Sequence, residues 1–163
     1  MSSIVISQNR YNVDKTTFAF LSDTVVYLKH DMKPINGILY CDGGDMGIYV
    51  KGKKDGLLRE WKNGQLWIEG NYKDGKADGL VREWYKDGQL QFEGNYKDGK
   101  RDGLIRKWYD DGQLKIETNF KDGKRDGLDR GWHENGQLKF DYNYKDGKLI
   151  SKKDWDKDGR LGE

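Results

Sequence analysis

The sequence contains one cysteine, Cys41, and one proline, Pro34, in 163 residues. A single cysteine excludes a disulfide framework within the chain and is typical of a reducing compartment. Because proline is nearly absent, the turns must be formed mainly by the 22 glycines. The two shortages favour a chain that is shaped by glycine turns rather than by covalent or proline constraints.

The chain also lacks long apolar runs and an excess of charge of either sign. No segment is apolar enough to cross a bilayer, and the first residues, MSSIVISQNR, lack the basic start and apolar run of a signal peptide. The 30 basic and 28 acidic residues leave a net charge of +2. Without a basic stripe, nucleic acid is excluded as a partner and membrane lipid is disfavoured. We therefore expect a cytoplasmic protein.

What the sequence has instead is a repeat of 24 residues. The tetrapeptide Lys-Asp-Gly-Lys starts at Lys73, Lys97, Lys121 and Lys145, and a glycine, a tryptophan and a Gln-Leu pair recur between the copies. A fixed period of this length is typical of a protein that stacks one supersecondary unit. The aromatic and aliphatic positions keep the same period, which disfavours disorder although 36% of the residues are charged.

Each repeat contains two glycine turns, for example Asp87-Gly88 and Asp98-Gly99. Such pairs between apolar segments are strong hairpin signals, because glycine accepts a positive φ and Asp or Asn tolerates it. The strand between the two turns alternates, with Leu90, Phe92 and Tyr96 on one side and polar residues on the other. Each repeat is therefore predicted to contain two strands and two turns, with one apolar face.

The first strand of each repeat is ambiguous, because Leu80 and Trp84 compete with Val81 and Tyr85 for the apolar face. The first full repeat is one residue shorter between its tryptophan and its turn. A two-residue turn there and a three-residue turn elsewhere both place the tryptophan opposite the leucine of the next strand. This register predicts a core of leucines and tryptophans from the first strands. The predicted core residues are Leu57, Trp61, Leu80, Trp84, Leu104, Trp108, Leu128 and Trp132.

The predicted fold class is all-β, an elongated single-layer antiparallel meander of 24-residue β-hairpin repeats. Residues 1–36 do not follow the repeat, and we expect an N-terminal β cap there. Its predicted strands are Ile4–Ser7, Thr17–Leu21 and Thr24–Lys29. The repeat array spans 37–163, with a degenerate first unit at 37–55, full repeats at 56–144 and a partial C-terminal unit at 145–163.

Residue types that perform catalysis are scarce and isolated. Cys41 has no histidine near it in the pattern, and His30 and His133 are single residues. The stretch Asp154–Gly159 imitates the start of a calcium loop, but its Asp-Gly pair is the turn of the repeat and no flanking helices are predicted. We therefore predict no catalytic residue, no metal site and no cofactor, and hence a non-enzymatic protein.

The polar side of the second strands is the candidate binding surface. It carries an acidic residue in every repeat, and the simplest interpretation is a solvated sheet face. The functional interpretation is a docking surface for a protein, since repeat arrays bind along one face and aromatic residues anchor interfaces. The predicted partner-binding residues are Trp67, Glu69, Tyr85, Glu93, Tyr109, Glu117 and Asp141.

One copy of the repeat reads GLVREWYKDGQLQFEGNYKDGK, with a glycine, an aromatic pair, an Asp-Gly turn, a leucine and a closing Tyr-Lys-Asp-Gly-Lys. This pattern resembles the variant MORN repeat of bacteria, and the resemblance covers roughly Gly37 to Leu161. It implies a protein-binding module that serves as the antitoxin or immunity component of a toxin system, with a cognate toxin as its partner. The alternative is a structural or membrane-associated scaffold protein.

Overall fold

The computed structural model describes residues 9–12, 18–22, 25–28, 33–41 and 44–162. Among these residues the regular structure is all strand, without helix. The strands are β1 (Arg10–Asn12), β2 (Phe18–Ser22), β3 (Val25–Leu28), β4 (Gly37–Cys41), β5 (Gly44–Val50), β6 (Lys53–Lys62), β7 (Gln65–Lys73), β8 (Lys76–Trp84), β9 (Leu90–Lys97), β10 (Lys100–Trp108), β11 (Leu114–Lys121), β12 (Lys124–Trp132), β13 (Leu138–Lys145) and β14 (Lys148–Asp154).

Twelve strands form one open sheet in the order β1-β4-β5-β6-β7-β8-β9-β10-β11-β12-β13-β14, and β2 and β3 form a separate two-stranded sheet. β1 pairs with β4 in parallel. The hairpins of the repeats are antiparallel. The predicted all-β meander of hairpin repeats in a single layer is therefore confirmed.

The chain divides into two units, residues 1–77 and 78–163. In the first unit, the strands predicted at 17–21 and 24–29 correspond to β2 and β3, which pair with each other. The predicted strand Ile4–Ser7 lies outside the described residues, and the sequence pattern does not predict β1. The N-terminal cap at 1–36 and the boundaries of the repeat units stay predictions.

The Lys-Asp-Gly-Lys segments form two-residue hairpin turns. Asp98 and Gly99 have φ angles of 50° and 80°, so both central residues lie in the left-handed region. Two positive φ values are typical of a type I′ turn, whose twist matches that of the flanking strands. Asn63 and Gly64 have φ angles of 53° and 76°, and the residues on either side of them pair with each other. The predicted two-residue turn of the first full repeat is therefore confirmed.

The corresponding turn of the later repeats contains three residues, as predicted from its length. The N–H of Tyr85 donates to the carbonyl oxygen of Gln89 at 2.8 Å, and the N–H of Gly88 donates to that of Tyr85 at 3.0 Å. Asp87 Oδ1 accepts the N–H of Gln89 at 3.0 Å. Gly88 has a φ of 89°. The glycine supplies the left-handed backbone and the aspartate holds the turn.

The predicted pairing of tryptophan with leucine across each hairpin is also confirmed. Trp84 lies opposite Leu90, and the other full hairpins have the same pairing. The register shifts just before the tryptophan, because Glu83 lies opposite Phe92. Such a β-bulge interrupts the alternation of side chains between the two faces. The extra residue is Gln91 of the second strand, so Leu90 and Phe92 do not lie on the same face, and the leucine opposite the tryptophan does not show on which face Phe92 lies.

For this reason, the prediction that the leucines of the first strands are core residues is wrong. Leu80 lies opposite Asn95, and Leu57 and Leu128 are 39% and 37% exposed. The tryptophans are half-buried. The buried positions are one residue further along the first strand, together with Phe92 of a second strand. These residues, which we call the core face, are Leu58, Val81, Phe92 and Ile105.

Glycines in the second strands make room for the branched residues of the core face. Gly94 lies opposite Val81 on one side and Ile105 on the other. A Cβ at Gly94 would be 2.6 Å from Cδ1 of Ile105 and 2.7 Å from Cζ of Phe92. A side chain at this position would therefore collide with the core.

The core face is packed differently in the two units. In the first unit, Leu58 clusters with Ile35, Leu39 and Tyr49. Burial, and to a lesser degree the neighbouring Glu60, raises the pKa of Tyr49 to about 12. This shift indicates that the phenol is held in its neutral form by an apolar environment.

In the second unit, Asp129 takes the place that Val81 and Ile105 have in the preceding repeats. Its Oδ1 accepts a hydrogen bond from Oγ1 of Thr118 at 2.7 Å, and its Oδ2 lies 3.0 Å from Nε of Arg125. A buried carboxylate needs such partners to offset the loss of its hydration. The core of the array is therefore apolar at first and becomes polar toward β13.

Candidate functional site

Each full hairpin carries one arginine–carboxylate pair on the face opposite the core face. In the second unit, Nε of Arg82 lies 2.8 Å from Oε2 of Glu93, and the two residues are direct cross-strand partners. All four pairs have N–O distances of 2.8 to 3.1 Å: Arg59–Glu69, Arg82–Glu93, Arg106–Glu117 and Arg130–Asp141. In each full hairpin, the predicted acidic residue is therefore one half of a neutral ion pair.

The ion pairs are flanked by a leucine and an asparagine from the same two strands. Leu80 lies opposite Asn95, one cross-strand step away from Arg82 and Glu93. We call this surface the ladder face. In the second unit it consists of three arginine–carboxylate pairs with Leu80, Leu104, Leu128, Asn95, Asn119 and Asn143. The hairpin of β6 and β7 in the first unit carries the same combination at Leu57, Arg59, Glu69 and Asn71.

Ion pairs with this degree of exposure contribute little to stability. The Arg82 and Glu93 side chains are 41% and 24% exposed, and pairs near the surface typically contribute about 0–1 kcal/mol. Their main effect is electrostatic, because each guanidinium neutralises a carboxylate and holds it in one orientation. The ladder face thus presents apolar and hydrogen-bonding groups without a net charge of either sign.

Trp67 is an exposed aromatic residue of β7, in the first unit. It lies two residues before Glu69 on β7, at the register shift of its hairpin, and it is 40% exposed. Nζ of Lys62 lies 5.2 Å from the centre of the ring, which is within the range of a cation–π contact. The structure therefore places two predicted site residues, Trp67 and Glu69, close together on one strand.

The hydroxyl groups of Tyr85 and Tyr109 link neighbouring repeats, and the binding role of these tyrosines stays a prediction. Their hydroxyl groups donate to the carbonyl oxygens of Trp108 and Trp132 at 2.7 and 2.8 Å, each in the following repeat. Burial, followed by the nearby carboxylates, raises the pKa of Tyr109. These tyrosines tie one repeat to the next, so their polar atoms are engaged by the fold.

His133 replaces the tyrosine in the last full repeat and keeps the same contact. Its Nε2 lies 2.9 Å from the carbonyl oxygen of Trp155. Because a carbonyl only accepts hydrogen bonds, Nε2 must carry the proton. In the sequence His133 is an isolated histidine, whereas in the structure it makes the same contact between repeats as Tyr85 and Tyr109.

A shallow groove of about 390 Å³ lies next to this histidine, and sequence analysis does not predict it. Its lining residues are Tyr109, His133, Glu134, Asn135, Lys139 and Lys157. The amide of Asn135 donates to the carbonyl oxygen of Lys157 at 2.7 Å. The Asn135 amide and the His133 imidazole both bond to backbone carbonyl oxygens. The lining residues of the groove therefore include no nucleophile and base in contact with each other.

Metal-binding groups and membrane-spanning helices were both sought among the described residues. No group of His, Cys, Asp and Glu that would hold a metal ion occurs among them. Oδ1 of Asp156 accepts the N–H groups of Asp158 and Arg160, both at 2.9 Å, so the calcium-like stretch is a turn closed by its own backbone. The same part of the chain has no helix that is long and apolar enough to cross a membrane. His30 lies outside the described residues.

The fold and the ladder face define a β-hairpin repeat protein with paired charges on one side of its sheet. The family of the MORN repeat variant matches residues 57–74, 77–98, 101–122 and 125–146, together just over half of the chain. The chain therefore belongs to the MORN repeat variant family. No match was found among curated proteins. MORN repeats are generally modules that bind proteins or membranes, and their fold is typically non-catalytic.

Proposed function

We propose that this chain is a cytoplasmic, non-enzymatic protein-binding module that serves as the antitoxin or immunity component of a bacterial toxin system. The ladder face is the observation that carries the proposal. It repeats one combination of leucine, asparagine and an arginine–carboxylate pair.

The composition of the ladder face favours a protein as its partner. Protein interfaces are enriched in aromatic residues and arginine, and they carry few unpaired charges at their centre. On the ladder face each carboxylate already has a guanidinium partner. A partner that covers the pair does not leave a buried single charge, which would be costly.

The neutrality of the pairs also constrains the kind of toxin. A strongly basic nuclease is recognised best by an excess of negative charge, because charge complementarity sets specificity and the rate of association. The paired carboxylates and the net charge of +2 do not provide this excess. We therefore expect a toxin of modest net charge.

The test combines affinity capture with a growth assay. The tagged chain captures proteins from the native host, and the captured protein is then expressed alone and together with the chain. We expect growth arrest when the partner is expressed alone and recovery when the chain is present. A captured partner that leaves growth unchanged would refute the immunity role. Recovery of no protein, together with salt-insensitive flotation on liposomes, would favour the membrane-associated scaffold instead.

Two adjacent residues on β10 provide a matched comparison. Arg106→Glu reverses a charge on the ladder face, whereas Lys107→Glu reverses a charge on the other side, where the preceding repeats have Glu60 and Glu83. We expect capture of the partner to be lost in the first variant and kept in the second.

The double variant Arg106→Glu with Glu117→Arg separates folding from recognition. It restores an ion pair across the hairpin but exchanges the positions of the two charges. The melting temperature should return toward that of the unmodified chain while capture stays low. Full recovery of capture in the double variant would mean that the pair only supports the fold.

A further inference from the structure

Three Asn-Gly pairs occur in this chain, and one of them forms the two-residue turn between β6 and β7. The pairs are Asn36-Gly37, Asn63-Gly64 and Asn135-Gly136. Asparagine is thermolabile, and a following glycine favours its breakdown because it lacks a Cβ that would hinder ring closure. The three asparagines are all exposed, so hydrogen bonds rather than exposure distinguish them.

Two of the three asparagine side chains are held by the backbone. Oδ1 of Asn36 accepts the N–H of Lys51 at 2.6 Å. The amide of Asn135 donates to the carbonyl oxygen of Lys157 at 2.7 Å, and its Oδ1 accepts the N–H of Gln137 at 3.1 Å. At both places, the side chain must leave its partners before it can react.

The side chain of Asn63 is not held in this way. It makes no hydrogen bond within the part of the chain that the structure describes. Asn63 and Gly64 have positive φ angles of 53° and 76°, and a Cβ at Gly64 would find no atom within 4 Å beyond its chain neighbours. The turn therefore stands clear of its surroundings, and its opening breaks no side-chain hydrogen bond of the asparagine.

We propose that Asn63 is a site of spontaneous modification, at which the side-chain amide is converted to a carboxylate. The backbone nitrogen of Gly64 forms a bond to Cγ of Asn63, the bond from Cγ to Nδ2 breaks, and ammonia leaves with the proton of the Gly64 N–H. Water then opens the cyclic imide. Cleavage of the new bond to Cγ gives aspartate, and cleavage of the original peptide bond gives isoaspartate. The reaction needs no reagent other than water.

The pair Asn135-Gly136 has the same reacting atoms, but the fold holds both of them. The attacking nitrogen, that of Gly136, donates its proton to the carbonyl oxygen of His133 at 2.9 Å. The amide that must be expelled donates to Lys157. Each hydrogen bond of ordinary net strength reduces the fraction of open turns about fivefold. The fold therefore protects Asn135 and leaves Asn63 reactive.

The two products have different effects on the hairpin of β6 and β7. An aspartate fits the turn, because Asp98 and Asp122 have φ angles of 50° and 51° at the same place in other two-residue turns. Isoaspartate adds a methylene group to the backbone of the turn. Lys62 and Gln65 then no longer flank a two-residue turn, and the register of the hairpin is disturbed.

Both products also change the charge near an exposed aromatic residue. The new carboxylate is adjacent in sequence to Lys62, whose Nζ lies 5.2 Å from the centre of the Trp67 ring. A carboxylate beside the ammonium group competes with the ring for the cation. Asn63 and Gly64 are not residues of the ladder face, and their reaction does not depend on which partner the chain binds.

Peptide mapping of the full chain after incubation at mildly alkaline pH tests the proposal. Trypsin places the three pairs in separate peptides, because lysines and arginines lie between them. Mass spectrometry reports the exchange of an amide for a carboxyl group, and chromatography separates aspartate from isoaspartate. Incubation in concentrated urea is the matched control, since the unfolded chain keeps the pairs but loses the hydrogen bonds that hold Asn36 and Asn135.

In the folded chain, we expect Asn63 to react at least about tenfold faster than Asn135. Asn36 should also react more slowly than Asn63, and in urea the three rates should converge. The variant Asn63→Gln should lose the modification at this turn, because its longer side chain closes a ring less readily, and it should leave the rate at Asn135 unchanged. The melting temperature should fall as isoaspartate accumulates, whereas Asn63→Asp should melt like the unmodified chain.

Two results would overturn the inference. The first is modification of Asn135 in the folded chain at a rate equal to or above that of Asn63. The second is a folded chain in which Asn63 stays intact while all three pairs react in urea, which would show that the closed turn protects its amide.

Discussion

Replacing Ile105 with alanine tests which face of the sheet is the core. Ile105 is 3% exposed and lies between Gly94 and Thr118 on the neighbouring strands. The change removes three carbon atoms from a packed site, which costs about 2.5 kcal/mol in transfer free energy. The cavity that remains adds to this, so we expect a loss of about 3–4 kcal/mol in the free energy of unfolding.

Leu104→Ala is the matched control, because it removes the same number of atoms from the adjacent residue. Leu104 belongs to the ladder face and lies opposite Asn119. Both variants place alanine in the same strand, and the higher strand propensity of isoleucine adds less than about 1 kcal/mol to the difference between them. We expect Leu104→Ala to cost about 1 kcal/mol or less.

Urea unfolding followed by tryptophan fluorescence and by circular dichroism measures the difference. The midpoint should fall strongly for Ile105→Ala and weakly for Leu104→Ala, with the same dependence on urea. Agreement between the two signals checks that the array unfolds as one cooperative unit. Equal losses, or a larger loss for Leu104→Ala, would show that Leu104 lies on the core side and that the extra residue of the bulge, Lys115, does not set the faces.

Three further predictions concern the glycines and the titrating groups. The pKa of Tyr49 is raised to about 12 in the folded protein. Its contribution to the stability of the folded state is therefore complete below about pH 10 and is lost as the pH rises through the folded pKa. The loss of melting temperature between pH 10 and 12 should therefore be less steep in Tyr49→Phe. Gly131→Ala places a Cβ 2.2 Å from Cε1 of Phe140. It should therefore lower the free energy of unfolding in urea by about 1–3 kcal/mol. A variant that also carries Phe140→Ala should lose less free energy of unfolding than the sum of the two single changes. The backbone N–H of Asp146 and, to a lesser degree, Lys145 lower the pKa of Asp126. The contribution of the Asp126 carboxylate to stability is therefore present above the ordinary carboxyl pKa and is lost in acid. With about 4 as the pKa of an unfolded Asp, the melting temperature of Asp126→Asn should fall less steeply between pH 5 and 2. An unchanged fall of the melting temperature in acid would contradict the contact.

The period and the turns of this fold are predictable from the sequence because they depend on local chemistry. Asp98-Gly99 needs positive φ at two successive residues, and few residue pairs accept this. The pairing of Trp84 with Leu90 follows from counting residues around the turn. Both features require only the chain within one hairpin.

The faces of the first strands are not predictable in this way. The extra residue of the bulge, Gln91, has no signature in composition, and alternation carried straight from Leu90 to Phe92 assigns Leu80 to the core side. The pairing of Arg82 with Glu93 is hidden for the same reason, since the cross-strand partner is known only once the bulge is placed.

The partner-binding role of the predicted site residues stays a prediction. Trp67 is exposed beside Glu69 as expected, whereas the hydroxyl groups of Tyr85 and Tyr109 are used between repeats. Such contacts join residues in different repeats, so a pattern within one repeat does not reveal them. The parallel pairing of β1 with β4 is likewise non-local and has no periodic signal.

The strand order from β4 to β14 follows the order of the chain, and this has a consequence for folding kinetics. Hydrogen bonds between repeats join residues about one repeat apart, as from the N–H of Gly123 to the carbonyl oxygen of Arg101. Most all-β proteins fold slowly because they must close long loops before distant strands meet. Here each pairing closes a short loop, so the entropy lost at each step is small. A nucleus is therefore expected to form at any hairpin and spread to its neighbours, at rates nearer those of helical bundles than those of β-sandwiches.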